Sequence, residues 1–360
     1  MGVAALAAHR LEAIGYTEVS LFDGGTRAWA AAGYALFAGG NVPSKTFGEL
    51  VEHAYHTPRI TAEELARMRA AGEDVVVVDG RPFAEYQKMS IPGGVCCPNA
   101  ELPYRIGEIV KRPQTKIVVN CAGRTRSIIG AQTLINFGIP NPVYALENGT
   151  QGWVLADYEL ERGASRKYPE KIEESGLPAL QASAKKLMDR VAVGTGAAKT
   201  VEAWLEETDR TTYLCDVRTP EEFAAGSIPG AVHAPGGQLV QATDQWVGVR
   251  NARVVLIDGE GVRAPVVASW LKQLGCDAHV LEGGIRSSLK GQPAAKPDLP
   301  ALPAISAADL KRSLVECGCT VFDLGASMNF RRAHIPGSRW TIRPRLAAAS
   351  RGAESVVVLV

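Results

Sequence analysis

Short apolar runs alternate along the chain with segments whose apolar positions fall three and four residues apart. VVVVD (75–79), KIVVN (116–120), YLCD (213–216), RVVLI (253–257) and TVFD (320–323) have the length and β-branched content of buried strands. SIIGAQTLINF (127–137) and APVVASWLKQL (264–274) carry the helical spacing instead. Strands apolar on both faces and separated by amphipathic helices predict an α/β fold, with parallel sheets covered by helices on both faces.

The pattern repeats. A strand, an Asp and an I-P-G turn recur at 75–94, 213–231 and 320–338, and the interval from Asp to the Pro of the turn is 13 residues each time: 79 to 92, 216 to 229, 323 to 336. A second repeat, read as a strand ending in an acidic residue and a Gly-containing turn into a helix, occurs as VSLFDGGTRAW (19–29), VYALENGTQGW (143–153) and HVLEGGIRSS (279–288). At 360 residues the chain has room for two or three domains, so repetition of one unit is the economical reading.

Charge and cysteine content narrow the function. With 39 basic and 38 acidic residues the net charge is +1, which removes the electrostatic footprint of nucleic-acid binding. No apolar run is long enough to span a membrane, and His9, Arg10 and Glu12 interrupt the Ala-rich start where a secretory signal needs continuous apolar residues. The cysteines at 96, 97, 121, 215, 276, 317 and 319 are odd in number and lack metal-ligand spacing, which predicts a reducing, cytoplasmic setting without a metal or other cofactor.

One loop carries candidate chemistry. Cys121-Ala122-Gly123-Arg124-Thr125-Arg126 joins a buried strand to a helix starting near Ser127. Backbone N–H groups at such a junction form an anion-binding nest that stabilises a thiolate, and Arg124 and Arg126 add positive charge. Gly123 permits the curvature and the close approach of an oxyanion. The residues D-x-R-x-x-x-E-[FY], IPG, strand-Cys-loop-helix and a Gly-turn with Trp, found between Ile60 and Gly163, resemble the rhodanese domain, and the whole chain resembles a tandem four-rhodanese sulfurtransferase.

The resemblance implies these divisions: the back half of a domain at 1–40, a linker helix at 41–59 capped by Ser44 and closed before Pro58, and a complete active domain at 60–163. A helical linker at 164–196, with its helix around 177–192, leads to a complete domain at 197–292. A Pro-rich linker at 293–301 then precedes the front half of a last domain at 302–360. By the same count the first unit's cysteine loop falls just before Met1 and the last unit's loop at or past Val360. The chain is therefore expected to be a fragment of a longer protein; the alternative is that 302–360 and 1–40 complement each other.

The implied mechanism is thiolate attack by Cys121 on thiosulfate, with sulfite leaving and a persulfide passed to a thiol or cyanide. Ala122 to Arg126 would bind the donor, and Asp79, Arg81 and Glu85 would support the site. A persulfide relay to a protein acceptor is the alternative. A cysteine phosphatase or arsenate reductase is disfavoured, because Arg126 follows Cys121 after four residues rather than five. Cys96 and Cys97 are read as small apolar fillers, with a relay role for Cys96 as the sharper alternative. Trp29 and Trp153 are read as packing, and His53 and His56 as a solvated face. In the domain at 197–292 the loop reads Asp258-Gly259-Glu260-Gly261-Val262-Arg263 and has no nucleophile, so that domain is expected to be silent. In the last fragment Gly325 and Asn329 replace the expected Arg and Glu.

Overall fold

The computed structural model describes residues 3–34, 41–293, 302–316, 318–352 and 357–359. The chain divides into two units, Met1–Ala294 and Ala295–Val360.

The first unit begins with α1 (Val3–Ala13), α2 (Gly25–Ala31) and α3 (Val42–Tyr55). A five-stranded parallel sheet follows, in the order β1-β5-β4-β2-β3, from β1 (Arg59–Ile60), β2 (Val75–Asp79), β3 (Val95–Cys96), β4 (Lys116–Asn120) and β5 (Val143–Leu146). Its crossovers are α4 (Ala62–Ala70), α5 (Phe83–Lys88), α6 (Leu102–Ile109) and α7 (Thr125–Phe137), and α8 (Gly149–Leu155) follows β5. Thr61 and Glu64 close a capping box that starts α4, each side chain accepting the other residue's backbone N–H.

The helix α9 (Leu177–Arg190) leads to a second parallel sheet of the same topology, β6-β10-β9-β7-β8. Its strands are β6 (Gly194–Gly196), β7 (Thr212–Asp216), β8 (Val232–His233), β9 (Arg253–Ile257) and β10 (Asp277–Leu281). The helices α10 (Ala198–Glu206), α11 (Pro220–Ala225), α12 (Gly236–Gln241) and α13 (Arg263–Gln273) connect them. Register is preserved between the copies: Val75 pairs with Lys116 as Thr212 pairs with Arg253, and Asp79 with Asn120 as Asp216 with Ile257.

Alternation along the strands explains the layers. Val78, Ile117 and Val119 face one core, while Val77 and Val118 face another with Leu65 and Trp153. In the second sheet Cys215, Val254 and Leu256 enter the same core as Val78, whereas Leu214, Val255 and Ile257 form a separate one with Val201. The two sheets thus share a continuous apolar core.

The second unit, described by itself, carries α14 (Ala307–Glu316), β11 (Thr320–Asp323), α15 (Ser327–Arg332), β12 (Arg339–Trp340), α16 (Leu346–Ala349) and β13 (Val357–Leu359). Its parallel order β12-β11-β13 repeats β3-β2-β4.

Several boundaries differ from the sequence reading. Residues 19–22 form no strand, since no neighbouring strand supplies a ladder for VSLF. Ser44 does not cap α3: the cap residue is Asn41 in a left-handed conformation, and buried Ser44 lies one turn in, with Oγ 2.5 Å from the Gln241 carbonyl. The linker at 164–196 is absorbed at both ends. Lys167 bridges Cys96 and Arg105 donates to the carbonyls of Pro169 and Glu170, while Gly194–Gly196 is an edge strand of the second sheet. The Gly-Thr-Gly of this strand carries no apolar signal, so its main-chain ladder is invisible in the sequence pattern. In the Pro-rich linker, residues 294–301 lie outside the described residues.

Candidate active site

Cys121 follows β4, the middle strand of its sheet, where the chain turns into α7. The carboxyl end of a central parallel strand is where α/β sheets place ligands. Its side chain is 2% exposed. The Gly123 N–H donates to Cys121 Sγ at 3.3 Å, and Ser127 Oγ lies 3.5 Å from the sulfur. Ser127 Oγ also lies 2.8 Å from the Arg124 carbonyl, so this hydroxyl ties the sulfur to the first turn of α7.

The loop is fixed from beneath by β5 and α8. The backbone N–H groups of Thr150 and Gln151 donate to the carbonyls of Cys121 and Ala122 at 2.9 and 3.2 Å. Gly149 makes this approach feasible: its φ is +53°, and a Cβ there would collide with the Cys121 carbonyl oxygen. With those carbonyls turned toward α8, the Gly123 N–H faces the sulfur.

Both loop arginines are engaged by carboxylates. Arg124 donates to Glu49 at 2.8 Å through two nitrogens, pairs closely with Glu52, and lies 3.7 Å from Glu147. The hydrogen bond to Glu49 raises Arg124 above the usual guanidinium range despite its partial burial. Arg126 makes a bidentate pair with Glu85 at 2.9 and 2.8 Å and donates to Gln238 Oε1 at 3.1 Å. Burial alone would raise Glu85, but its pairing with Arg126 holds it below the usual carboxylate range. Thr125 packs against Gly48 of α3, where a Cβ would stand 3.1 Å from the Thr125 methyl, and this contact brings Glu49 and Glu52 over the loop.

Asp79, Arg81 and Asn120 form a buried platform beside the cysteine. Arg81 donates to both Asp79 oxygens at 2.8 and 2.7 Å and to the Met89 carbonyl at 2.6 Å, and Asn120 Nδ2 donates to Asp79 at 2.7 Å. Burial works against the Arg81 charge, but Asp79 and the neighbouring Glu85 outweigh it and raise Arg81 above its ordinary range. Asp79 and Arg81 therefore hold strand ends together, while Glu85 reaches the loop itself through Arg126.

Cys96 sits apart, in a cluster with Tyr86 and Ala164, with Sγ 3.5 Å from the Arg81 carbonyl. Burial pushes its thiol up to about 12 and raises Cys97 as well. Trp153 is buried against Tyr158, and His53 and His56 are exposed. Glu49, Glu52, Ser127 and Gln238 are site residues that the motif reading missed. Glu49 and Glu52 stand on a helix more than seventy residues upstream and Gln238 in the other domain, so no local spacing announces them.

In the second domain the equivalent loop is filled by a carboxyl group of its own. Asp258 accepts N–H bonds from Gly261, Val262 and Ala264 at 3.0, 2.9 and 2.9 Å. Burial and the neighbouring Glu260 carboxylate push Asp258 up, and these N–H donors oppose them. Glu260 turns to Arg263, which also binds Glu222 and, across the domain boundary, Glu101.

A model of the rhodanese-like domain matches residues 61–156 and 197–289, more than half of the chain. A crystal structure of thiosulfate sulfurtransferase from Pseudomonas aeruginosa is similar over 100% of this chain, at 46% identity and a TM-score of 0.90, with 69% of that chain covered. YtwF of Bacillus subtilis, provisionally named a sulfurtransferase, is 34% identical over 79 residues, which is 22% of this chain and 75% of YtwF. The helix-turn-helix-type transcriptional regulator Rv0324 of Mycobacterium tuberculosis is 37% identical over 105 residues, 29% of this chain and 45% of the regulator.

Proposed function

This chain belongs to the rhodanese-like family of sulfurtransferases, and from that premise we propose that it is a thiosulfate-type sulfurtransferase carrying sulfane sulfur on Cys121. The observation that carries this reading is the cysteine itself: its sulfur accepts a loop N–H at the head of a helix and at the end of the central strand. The likeness to the Pseudomonas enzyme along the full chain supports thiosulfate as donor. The three-stranded order of the second unit, a repeat of β3-β2-β4, supports a reading of the chain as parts of four tandem domains.

The Cys121 thiolate attacks the outer sulfur of thiosulfate. The sulfur–sulfur bond of the donor breaks, sulfite departs with the electron pair, and a persulfide remains on Cys121. N–H groups of residues 122–126 stabilise the charge on the outer sulfur, as a preorganised nest does for any anion formed within it. Arg124 and Arg126, at the loop's rim, attract the sulfonate end, and Glu85, Asp79 and Arg81 hold the rim and the strand ends in place. Cyanide or a thiolate then attacks the outer sulfur, leaves as thiocyanate or a persulfide, and restores the Cys121 thiolate.

Intact mass after incubation with thiosulfate and desalting tests the proposal. The parent gains one sulfur atom and Cys121→Ser gains none. A parent that gains nothing while Cys121 still reacts with an alkylating agent overturns the thiosulfate reading.

A further inference from the structure

The two domains meet as the halves of a two-fold dimer would. Positions 137 residues apart are equivalent: Asp79 and Asp216, Cys121 and Asp258, Arg126 and Arg263, Glu101 and Gln238. In a two-fold interface, if residue i touches j, then the copy of j touches the copy of i. Gly236 packs on Ala100 and Gly237 on Asn99, and these pairs exchange under the same offset. Trp270 Nε1 donates to Thr133 Oγ1 at 2.8 Å, and these residues are each other's equivalents, so the pseudo-axis runs between them.

This symmetry makes one chemical difference visible. Arg263 in the silent loop reaches across the boundary to the Glu101 carboxylate at 2.9 Å. The equivalent contact of the cysteine loop, from Arg126, ends on the neutral Gln238 amide at 3.1 Å. Within their own domains the two arginines are treated alike, Arg126 by Glu85 and Arg263 by Glu222. Arg263 is further neutralised by Glu260, which has no carboxylate counterpart because Gly123 stands at the equivalent position. The silent loop's arginine is therefore surrounded by three carboxylates, and the cysteine loop's arginine is paired with one.

We propose that Gln238, supplied by the silent domain, is a positioning residue for the Cys121 loop that orients Arg126 without neutralising it and so keeps the loop selective for anionic sulfur donors. It acts through Arg126, whose carbonyl is held in turn by Asn99 Nδ2 at 2.9 Å, in the segment that Gly237 packs against. An amide accepts the guanidinium hydrogen bond as a carboxylate does but adds no second negative charge to the one Glu85 supplies. The silent domain is then a working part of the site, and its contribution is the charge state of position 238. The inference rests on the sulfurtransferase reading for the identity of the donor and on the geometry alone for the charge at Cys121.

Alkylation of Cys121 by iodoacetate and by iodoacetamide separates the two. The ratio of their rates reports the electrostatic potential at the sulfur whether or not thiosulfate is a substrate, and peptide mass identifies the modified cysteine. Gln238→Glu lowers the iodoacetate-to-iodoacetamide ratio roughly three- to tenfold, as one added negative charge at the rim of a poorly solvated site does. Gln238→Met removes the hydrogen bond without adding charge, so both rates move together and the ratio stays. The double variant Glu85→Gln with Gln238→Glu returns the carboxylate count to one and restores the parental ratio. Where thiosulfate is turned over, Gln238→Glu raises KM for it with kcat little changed. A parental ratio in Gln238→Glu, or equal ratios in the Glu and Met variants, overturns the proposal. Absence of sulfur transfer in the parent alongside the expected ratios overturns only the thiosulfate reading.

Discussion

Arg263 is the residue on which the joint between the two domains can be tested most directly. Its side chain is 1% exposed and donates to Glu101 at 2.9 Å, to Glu222 at 2.6 and 2.8 Å, and to Glu260 twice at 2.7 Å. Glu101 and Glu260 are themselves almost fully buried. Arg263→Met keeps most of the volume but leaves these carboxylates without their shared cation, and removal of one partner from a buried ionic cluster costs about 3–5 kcal/mol. The loss depends on pH with a definite sign. Burial would raise Glu222, but Arg263 pulls it down to about 2 in the folded protein, so its pairing stabilises the fold above the unfolded carboxylate range and is lost only as pH falls toward 2. In the variant Glu222 keeps the burial that raises it but loses the opposing charge of Arg263, so its penalty is full at neutral pH and is relieved as it protonates. The gap between parent and variant is therefore largest near pH 7 and narrows toward pH 4.5. Urea unfolding followed by circular dichroism at pH 7, 6 and 5 measures it. A difference under 1 kcal/mol at pH 7, or one that does not shrink as pH falls, would refute the assignment of Arg263 as the buried counter-ion.

Other consequences follow from the same geometry. Gly149→Ala forces a left-handed conformation on a residue with a Cβ and drives that carbon into the Cys121 carbonyl, so the loop shifts and persulfide formation slows by about 10²-fold, read by stopped-flow mass analysis; an unchanged rate would show that the loop does not rest on α8. The paired substitution Glu49→Gln with Glu52→Gln frees Arg124 from α3 and lowers the thiosulfate KM by roughly threefold, the scale of partly exposed ion pairs; steady-state kinetics giving a higher KM would contradict this. Buried Cys96 and Cys215, each pushed up to about 12, stay protonated at pH 8 and escape iodoacetamide until the protein unfolds; labelling of either in the native protein as fast as Cys121 would count against their burial.

What the sequence made legible was whatever lies close together along it. The Cys121 loop could be read because cysteine, glycine and arginines are contiguous. The Asp79 and Arg81 platform could be read because a two-residue spacing at a strand end brings the pair into one turn. The strands were visible through runs such as VVVV and IVV, buried on both faces. Contacts whose partners lie far apart were not legible. Glu49 and Glu52 looked like solvent-facing charges on a linker helix, and only the close packing of Gly48 on Thr125 makes them partners of Arg124. Ser44 looked like a cap because Ser often is one, yet its hydroxyl serves the Gln241 carbonyl in the other domain. The strand expected at 19–22 fails for the converse reason: apolar residues specify a strand only where a neighbour completes the ladder.

The second domain keeps the scaffold of a nest with Asp258 where the first has Cys121. Inward N–H groups are stable only with an acceptor to receive them, since buried donors left unpaired are costly. In the first domain that acceptor is Cys121 Sγ, which takes the Gly123 N–H. In the second, the Asp258 carboxyl group takes three N–H groups and fills the space. Gly149 and Gly284 hold both loops in the same way, each beneath the carbonyl of the nest's own residue. A nest occupied by its own carboxylate no longer needs an open mouth, and Arg263 is accordingly drawn inward among Glu101, Glu222 and Glu260 to lock the two domains together. That locked boundary is also the one from which α12 presents Gln238 to the Cys121 loop.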